Sequence, residues 1–559
     1  MCEMGVACYH DHVRLCPGPQ RRTRLIVHDS SPQAARQQLE AIWRAWKSGD
    51  ARSAVAACQA MNLNFPEDAD GWHASSVIAL QLGGAAPALL FIEKALDIRP
   101  GEAAWRVHRA RCLHATGDGA GATVILEELC KAATGNPELL AETALLAGAL
   151  NRHELAESLF GEAAGLDPGN ARLHYNVAAT QRYLGKLEDA LDSVNRAIEL
   201  NPRDPDAHYL RASLRRWTLK SNHVDALERA LDGTVNNALG EAQLCYALAK
   251  ELEDCAEYAA SFSYLQRGAK TRRRKLQYDI GEDLAFFRAL REVYDREFLQ
   301  ERAAGTHSRD PIFVLGLPRT GTTLVERILS ACDGVTSIGE STVLTQLIGA
   351  AAQRLNPSPR VTRADLVRAT TGINFKELGD AYLQRARPAG GNAIRFVDKF
   401  PQNTLNIGAI HKALPEAAIV LLERHPMDAC YAMYKALFTD IYAFSYEFGE
   451  LARYFIAHQG LMRHWREALP GRVHVLRYEN LVSDPEGEAR KLLAHCGLDW
   501  QADCLDFTRN PQASTTASAS QIRQGIYSSS VGLWKHYAEQ LAPLERSLRE
   551  AGCLDGWPD

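Results

Sequence analysis

No window of this 559-residue chain approaches the roughly 18 consecutive apolar residues that cross a bilayer, the best runs being AAPALLFI from Ala85 and AAIVLL from Ala417. No membrane span is expected. An excess of basic charge is missing as well: 63 Lys plus Arg stand against 68 Asp plus Glu, a formal net charge of -5, which supplies no general attraction to nucleic acid or to an anionic surface. Any anion must be held by local groups. The beginning, MCEMGVACYHDHVRLCPGPQRRTR, lacks the apolar core of a secretory signal, so the expected compartment is the cytoplasm. The 13 cysteines lack paired spacing, which favours reduced thiols over a disulfide framework. Cys2, Cys8, His10, His12 and Cys16 have the ligand types of a zinc site but the spacing of no structural zinc pattern, and residues 1–30 read as a flexible leader.

What is present is a chain of ordinary soluble composition, 46% hydrophobic and 23% charged, and long enough for two or three domains. From Ser31 to Lys220 it is rich in helix formers and returns to the same punctuation: FPED at Pro66, RPGE at Pro100, NPEL at Pro137, DPGN at Pro168 and NPRD at Pro202. The outer intervals are 34 residues and the middle two, 37 and 31, average the same, so one loop is expected to gain what its neighbour loses. A period of 34 belongs to the tetratricopeptide repeat, a pair of packed helices. The clearest copy runs from Ala171 to Pro202, with Gly185 at the turn and Ala190 and Ala197 where the helices touch. About four copies with degenerate flanks predict a curved array over residues 31–220 that offers a face to a protein partner. A helical, repeat-like extension with the basic run KTRRRK occupies residues 221–305.

After the segment RAAGTHSRDP the pattern changes to short β-rich runs alternating with helices, which predicts a parallel sheet over residues 306–559. IFVLGL, IRFVDK, AAIVLLER and RVHVLRY are the strand candidates. Ligands of such sheets bind beyond the carboxyl ends of the strands. Directly after the first strand stands GLPRTGTTL, Gly316 to Leu324, which has the outline of a nucleotide P-loop with Thr322 in place of the lysine. Free amide groups at a helix start bind an anion without lysine, and Arg319, Thr320, Gly321, Thr322 and Thr323 supply close approach and further donors. Lys399, Arg424 and Tyr478 each follow one of the other strands.

Together PRTGTTL, DKFPQN, LLERHPMDA, RYENLVSDPE and TASASQIRQGIYSSSVGLWKHYAEQLAPL resemble the sulfotransferase family that uses 3′-phosphoadenosine 5′-phosphosulfate, in its form with amino-terminal tetratricopeptide repeats. The resemblance covers nearly all of the chain after Ser31. It implies an α-helical solenoid followed by a P-loop-like α/β sulfotransferase domain, and a donor whose 5′-phosphosulfate lies in the loop from Arg319 to Thr323 with no metal required. It implies that Arg424 pairs with the 3′-phosphate. Tyr478 and the segment from Ser518 to Tyr527, with Arg523, would line the adenosine bisphosphate, and Trp534 and Lys535 would close the site. Departures are Ala432, where the family has serine, and Leu533, where it often has a basic residue; Lys435 and Lys535 are the candidates to replace those contacts.

The implied reaction is in-line displacement at sulfur by an acceptor hydroxyl of a peptide, a carbohydrate, a lipid or a metabolite. Glu340, 21 residues beyond Arg319, matches the carboxylate base of the tyrosylprotein branch; Lys399 would neutralise the leaving oxygen. His411 and His425 read as structural. Three readings stay open: this enzyme, a nucleotide hydrolase or kinase in which Asp398 stands for a metal-binding aspartate, and a repeat scaffold with a degenerate transferase domain.

Overall fold

The computed structural model describes residues 31–234, 237–301, 305–358, 360–388, 394–438, 441–506 and 530–558. The chain forms two compact units, Met1–Gln181 and Arg182–Asp559.

The described part of the first unit is helical, from Pro32–Lys47 onward. The leading helices of successive pairs begin at Ala69, Ala103, Pro137, Ala171 and Pro205, a constant step of 34. The uneven proline spacing therefore does not reflect loops of unequal length. Pro137 has moved into the first helical position, where its missing N–H costs nothing, whereas Pro66, Pro100, Pro168 and Pro202 stand three residues ahead of their helices. Side chains of Asp50, Asp68, Asp118 and Asn136 accept from the third amide of the helix each precedes, a cap worth about 1 kcal/mol. Ala54, Ala74, Ala88, Ala95, Ala110, Ala122, Ala144 and Ala163 are fully buried, and their small side chains let neighbouring helices approach closely. Among the described residues no helix is long and apolar enough to cross a membrane.

The second unit begins with the rest of the repeat pattern. Gly185 adopts φ +76° at the turn between the helices Ala171–Leu184 and Leu187–Leu200, and Ala190 and Ala197 are fully buried. Helices Ala238–Asp254 and Tyr258–Arg273 pack on each other and contribute Tyr246, Phe262, Leu265 and Ala269 to the core that covers one face of the sheet. The basic run KTRRRK divides: Arg273 turns inward and holds Glu450 with two nitrogens at 2.7 and 2.6 Å, while Lys270 and Arg274 line a surface groove with Arg267 and Glu241.

Five parallel strands are present among the described residues: β1 (Pro311–Gly316), β2 (Val335–Ser337), β3 (Arg395–Lys399), β4 (Ala418–Glu423) and β5 (Val473–Arg477), in the order β2-β3-β1-β4-β5. β1 is buried on both faces, which is why its sequence shows no polar alternation. Ile312 and Val314 face a cluster with Val325, Ile328 and Leu329, whereas Phe313 and Leu315 face the larger core shared with the helical extension. β2 has only three residues, too few for a periodic signal, and was absent from the strand candidates. Cys332 and Cys504, 172 residues apart and both buried, are joined in a disulfide. This pair departs from the expectation of reduced thiols; packing brings the two together, and no spacing rule could have paired them.

Candidate functional site

β2 and β3 lie on one side of β1, and β4 and β5 on the other, so the carboxyl end of β1 stands where the strand order reverses. There the chain turns sharply. Arg319 has φ +68°, Gly321 has φ +106°, and the helix Thr322–Ser330, called here the loop helix, starts with no side-chain cap. Among the described residues no side chain engages the Thr322 and Thr323 amides, and such amides at a helix start suit an anion. The Thr320 hydroxyl donates to the Leu317 carbonyl at 2.7 Å, which spends that donor on shaping the loop. A Cβ on Gly321 would come within 2.6 Å of the Tyr478 ring, so the loop is pressed against the end of β5.

Lys399 ends β3 on the face of the loop helix and is fully buried. Its Nζ lies 2.5 Å from Oε1 of Glu340, whose side chain is 45% exposed, and 3.7 Å from Oε2 of Glu326. Burying an ammonium costs several kcal/mol unless it is paired, and two carboxylates do that here. Asp398, one residue earlier, points to the opposite face. It accepts from the Tyr382 hydroxyl at 2.7 Å and from Asn403 Nδ2 at 3.3 Å, and burial pushes its carboxyl up to about 7. That enclosed setting does not offer the open carboxylate a nucleotide-bound metal needs, and no group of three or more His, Cys, Asp or Glu among the described residues could hold a metal ion.

Arg424 follows β4 and lies 4.9 Å from the ring centre of Tyr478. Its Nη1 donates to the Arg319 carbonyl at 3.0 Å and its Nη2 to the Ser530 carbonyl at 2.5 Å; among the described residues its buried Nε has no partner. The guanidinium thus braces the loop, a contact the sequence did not indicate. The Tyr478 hydroxyl lies 3.1 Å from Ser530 Oγ. Trp534 stacks on His425 with ring centres 5.8 Å apart, and Asp428 accepts from the Gly532 amide at 2.7 Å. His425 is held below its ordinary pKa by burial, in keeping with a packing role. His411, on a helix behind the sheet, is lowered to about 4 for the same reason. Lys535 is exposed. Ser518 and Arg523 lie outside the described residues, as does the Cys/His cluster of the leader.

The structure thus gathers Arg319, Thr320, Gly321, Thr322, Thr323, Glu340, Lys399, Arg424 and Tyr478 at one end of the sheet. It takes Lys435 elsewhere: the ammonium pairs with Glu253 at 2.7 Å, so it does not replace the serine missing at Ala432. Sequence reading also missed Glu326 and Ser337, which look like any helix-face and strand-end residues. Tyr209, from the repeat helix Pro205–Leu214, is near enough to Arg319 for that charge to act on its phenol; burial outweighs it and raises the pKa.

Comparison with known proteins matches two stretches of the chain to family models. Residues 311–502 match the model described as Sulfotransferase family, and residues 149–214 match Tetratricopeptide repeat. The chain carries a sulfotransferase-family domain after tetratricopeptide repeats. An uncharacterized protein of Aquifex aeolicus is 27% identical over 402 residues, 71% of this chain and 52% of its own length, so the chain spans about half the length of that curated relative. Among solved structures, a thermophilic tetratricopeptide-repeat protein of Thermus thermophilus is 18% identical with a TM-score of 0.29, over 32% of this chain and 98% of its own. The sulfotransferase domain from the curacin biosynthetic pathway is 16% identical with a TM-score of 0.31, over 44% of this chain and 98% of its own. The sulfotransferase domain has the parallel sheet, and its loop, Glu340, Lys399 and Arg424 all lie within the matched residues.

Proposed function

We propose that this chain is a sulfotransferase that moves a sulfuryl group from 3′-phosphoadenosine 5′-phosphosulfate to an acceptor hydroxyl, with a peptide tyrosine as the first acceptor to test and a protein partner on the repeat array. The observation that carries it is the uncapped loop helix beside a buried Lys399 paired with Glu340. The residues fit such a donor: the amides at Thr322 and Thr323 open a helix whose start suits a terminal phosphosulfate, and the missing side chain at Gly321 lets the loop close against Tyr478. When bound, the donor supplies an activated sulfur–oxygen bond whose cleavage releases adenosine 3′,5′-bisphosphate.

The chain's own groups divide the work. The loop amides and Arg319 hold and orient the anion. Lys399 places positive charge where a leaving oxygen gains negative charge. Glu340, half exposed at the rim, takes the proton of the attacking hydroxyl once Lys399 releases it. Arg424 offers Nε and shared Nη groups on the 3′ side while keeping the loop in place.

A second reading, a scaffold with a weakened transferase domain, is favoured by one observation: Ala432 offers no hydroxyl and Lys435 is committed to Glu253. Isothermal titration with adenosine 3′,5′-bisphosphate, against ATP with Mg²⁺, separates the two and also tests the kinase reading. Transfer of labelled sulfate to cell extract then compares the wild type with Glu340→Ala and Arg319→Ala. Undiminished transfer in both variants would reject the site.

A further inference from the structure

The loop helix carries a feature that an anion site should avoid. Glu326, one turn in from the uncapped start, is a buried carboxylate, 8% exposed, that would repel any phosphosulfate held at the helix terminus. Its two oxygens have separate duties. Oε1 accepts from Ser337 Oγ at 2.5 Å, and Ser337 Oγ in turn accepts from the amide of Gly339, the residue before Glu340. Oε2 lies 3.7 Å from Lys399 Nζ. The Lys399 amide donates to the Gly339 carbonyl at 3.0 Å, which closes the circuit between the tips of β2 and β3.

We infer that Glu326 is a positioning residue of this site: it fixes the Lys399 ammonium at the tip of β3 and, through Ser337, the turn that delivers Glu340. The inference rests on the sulfotransferase reading above. As the structure stands, Lys399 and Glu340 neutralise each other, so the base is masked. An anion on the loop competes for the ammonium. Glu340, 45% exposed, can turn away, but Glu326, with its side chain only 11% exposed, cannot. Glu326 therefore retains Lys399 beside the anion while Glu340 is freed to take a proton.

The test uses the full chain and needs no identified acceptor. Water serves in its place: its oxygen bonds to sulfur, its proton passes to Glu340, and the sulfur–oxygen bond to adenosine 3′,5′-bisphosphate breaks. Release of labelled sulfate from the donor gives kcat and KM, and titration with adenosine 3′,5′-bisphosphate gives a Kd independent of turnover. Glu326→Gln keeps an acceptor for Ser337 but removes the charge; it should lower kcat by about tenfold or more while Kd changes by less than about threefold. In a Lys399→Met background the same substitution should change kcat by less than about twofold. In urea denaturation of the donor-free protein it should destabilise the wild type but stabilise Lys399→Met, whose buried carboxylate has lost its cation. Ser337→Ala, which cuts only the link to β2, should lower kcat by a smaller factor. An unchanged kcat in Glu326→Gln, or additive losses with Lys399→Met, overturns the inference. A wild type that neither binds the bisphosphate nor releases sulfate overturns the sulfotransferase reading instead, and the denaturation cycle still reports whether Glu326 and Lys399 are coupled.

Discussion

Tyr478 closes the space beside Gly321, so a Cβ at position 321 would stand 2.6 Å from Cδ2 of the ring. Two costs fall on Gly321→Ala: this overlap, and a φ of +106° that an alanine rarely adopts. The variant should lose about 1–3 kcal/mol of stability and bind adenosine 3′,5′-bisphosphate at least about tenfold more weakly. Urea denaturation and titration calorimetry measure the two effects separately. Adding Tyr478→Ala removes the overlap but not the backbone strain, so only part of the stability should return.

Glu253 lies on the helix Ala238–Asp254 and accepts from the Tyr431 hydroxyl at 2.5 Å, the Tyr537 hydroxyl at 3.0 Å and Lys435 Nζ at 2.7 Å. Burial works to raise its pKa, yet Lys435 and the two hydroxyls together hold it below the usual carboxylate range. Glu253→Ala removes the acceptor that all three groups share and should cost about 3 kcal/mol. Because the native pKa is depressed, this stabilisation is present above the unfolded carboxylate value and is lost as pH falls through the native one. The difference between wild type and Glu253→Ala in denaturation midpoint should therefore shrink in acid. A gap that stays constant would show that packing, not charge, sets the cost.

The residues that could be read in advance are those whose local context is peculiar. Arg319 to Thr323 crowd one turn between a strand and a helix, and Gly185, Ala190 and Ala197 recur at the spacing of a helical hairpin. Such patterns constrain the backbone directly. Lys399 and Arg424 were legible only as strand-end residues; their partners were not, because ion pairing to Glu340 and Glu326, or to the Arg319 and Ser530 carbonyls, is decided by tertiary packing. The same holds for β2, whose three residues owe their extended form to pairing with β3 rather than to propensity. Pro137 shows the converse limit: a punctuating residue marks a helix start only to within a turn, so proline intervals misreport a repeat that the helices keep strictly.

Asp398 gives the protein a pH dependence opposite in sign to that of Glu253. Its native carboxyl is raised to about 7 by burial, from an ordinary value of 3.8. Between about pH 4 and about pH 7 the native state keeps a proton that the unfolded chain has released, so stability falls as pH rises through that window, by up to about 1.4 kcal/mol per unit. Asp398→Asn should flatten this slope and leave the neutral-pH protein no less stable than the wild type. Denaturation midpoints of both proteins across the window check it, and parallel slopes would assign the proton elsewhere.

Cys332 stands just past Ala331, the cap that ends the loop helix, and its bond to Cys504 ties that helix to the 3-10 turn Ala502–Leu505. Cross-linking two points 172 residues apart restricts the unfolded chain far more than the folded one. By loop-closure entropy the bond is worth about 5 kcal/mol. Peptide mapping without reductant should recover the two cysteines as one linked fragment, and Cys332→Ala should lower the urea midpoint to that of the reduced wild type. Since both sulfurs are buried, reduction should proceed only as fast as local opening exposes them, and should be quick once the protein is unfolded. If both thiols are instead alkylated on unfolding in the absence of reductant, the bond is not formed in solution, and the loop helix depends for its placement on the apolar contacts of Val325, Ile328 and Leu329 and on the links of Glu326 to Ser337 and Lys399.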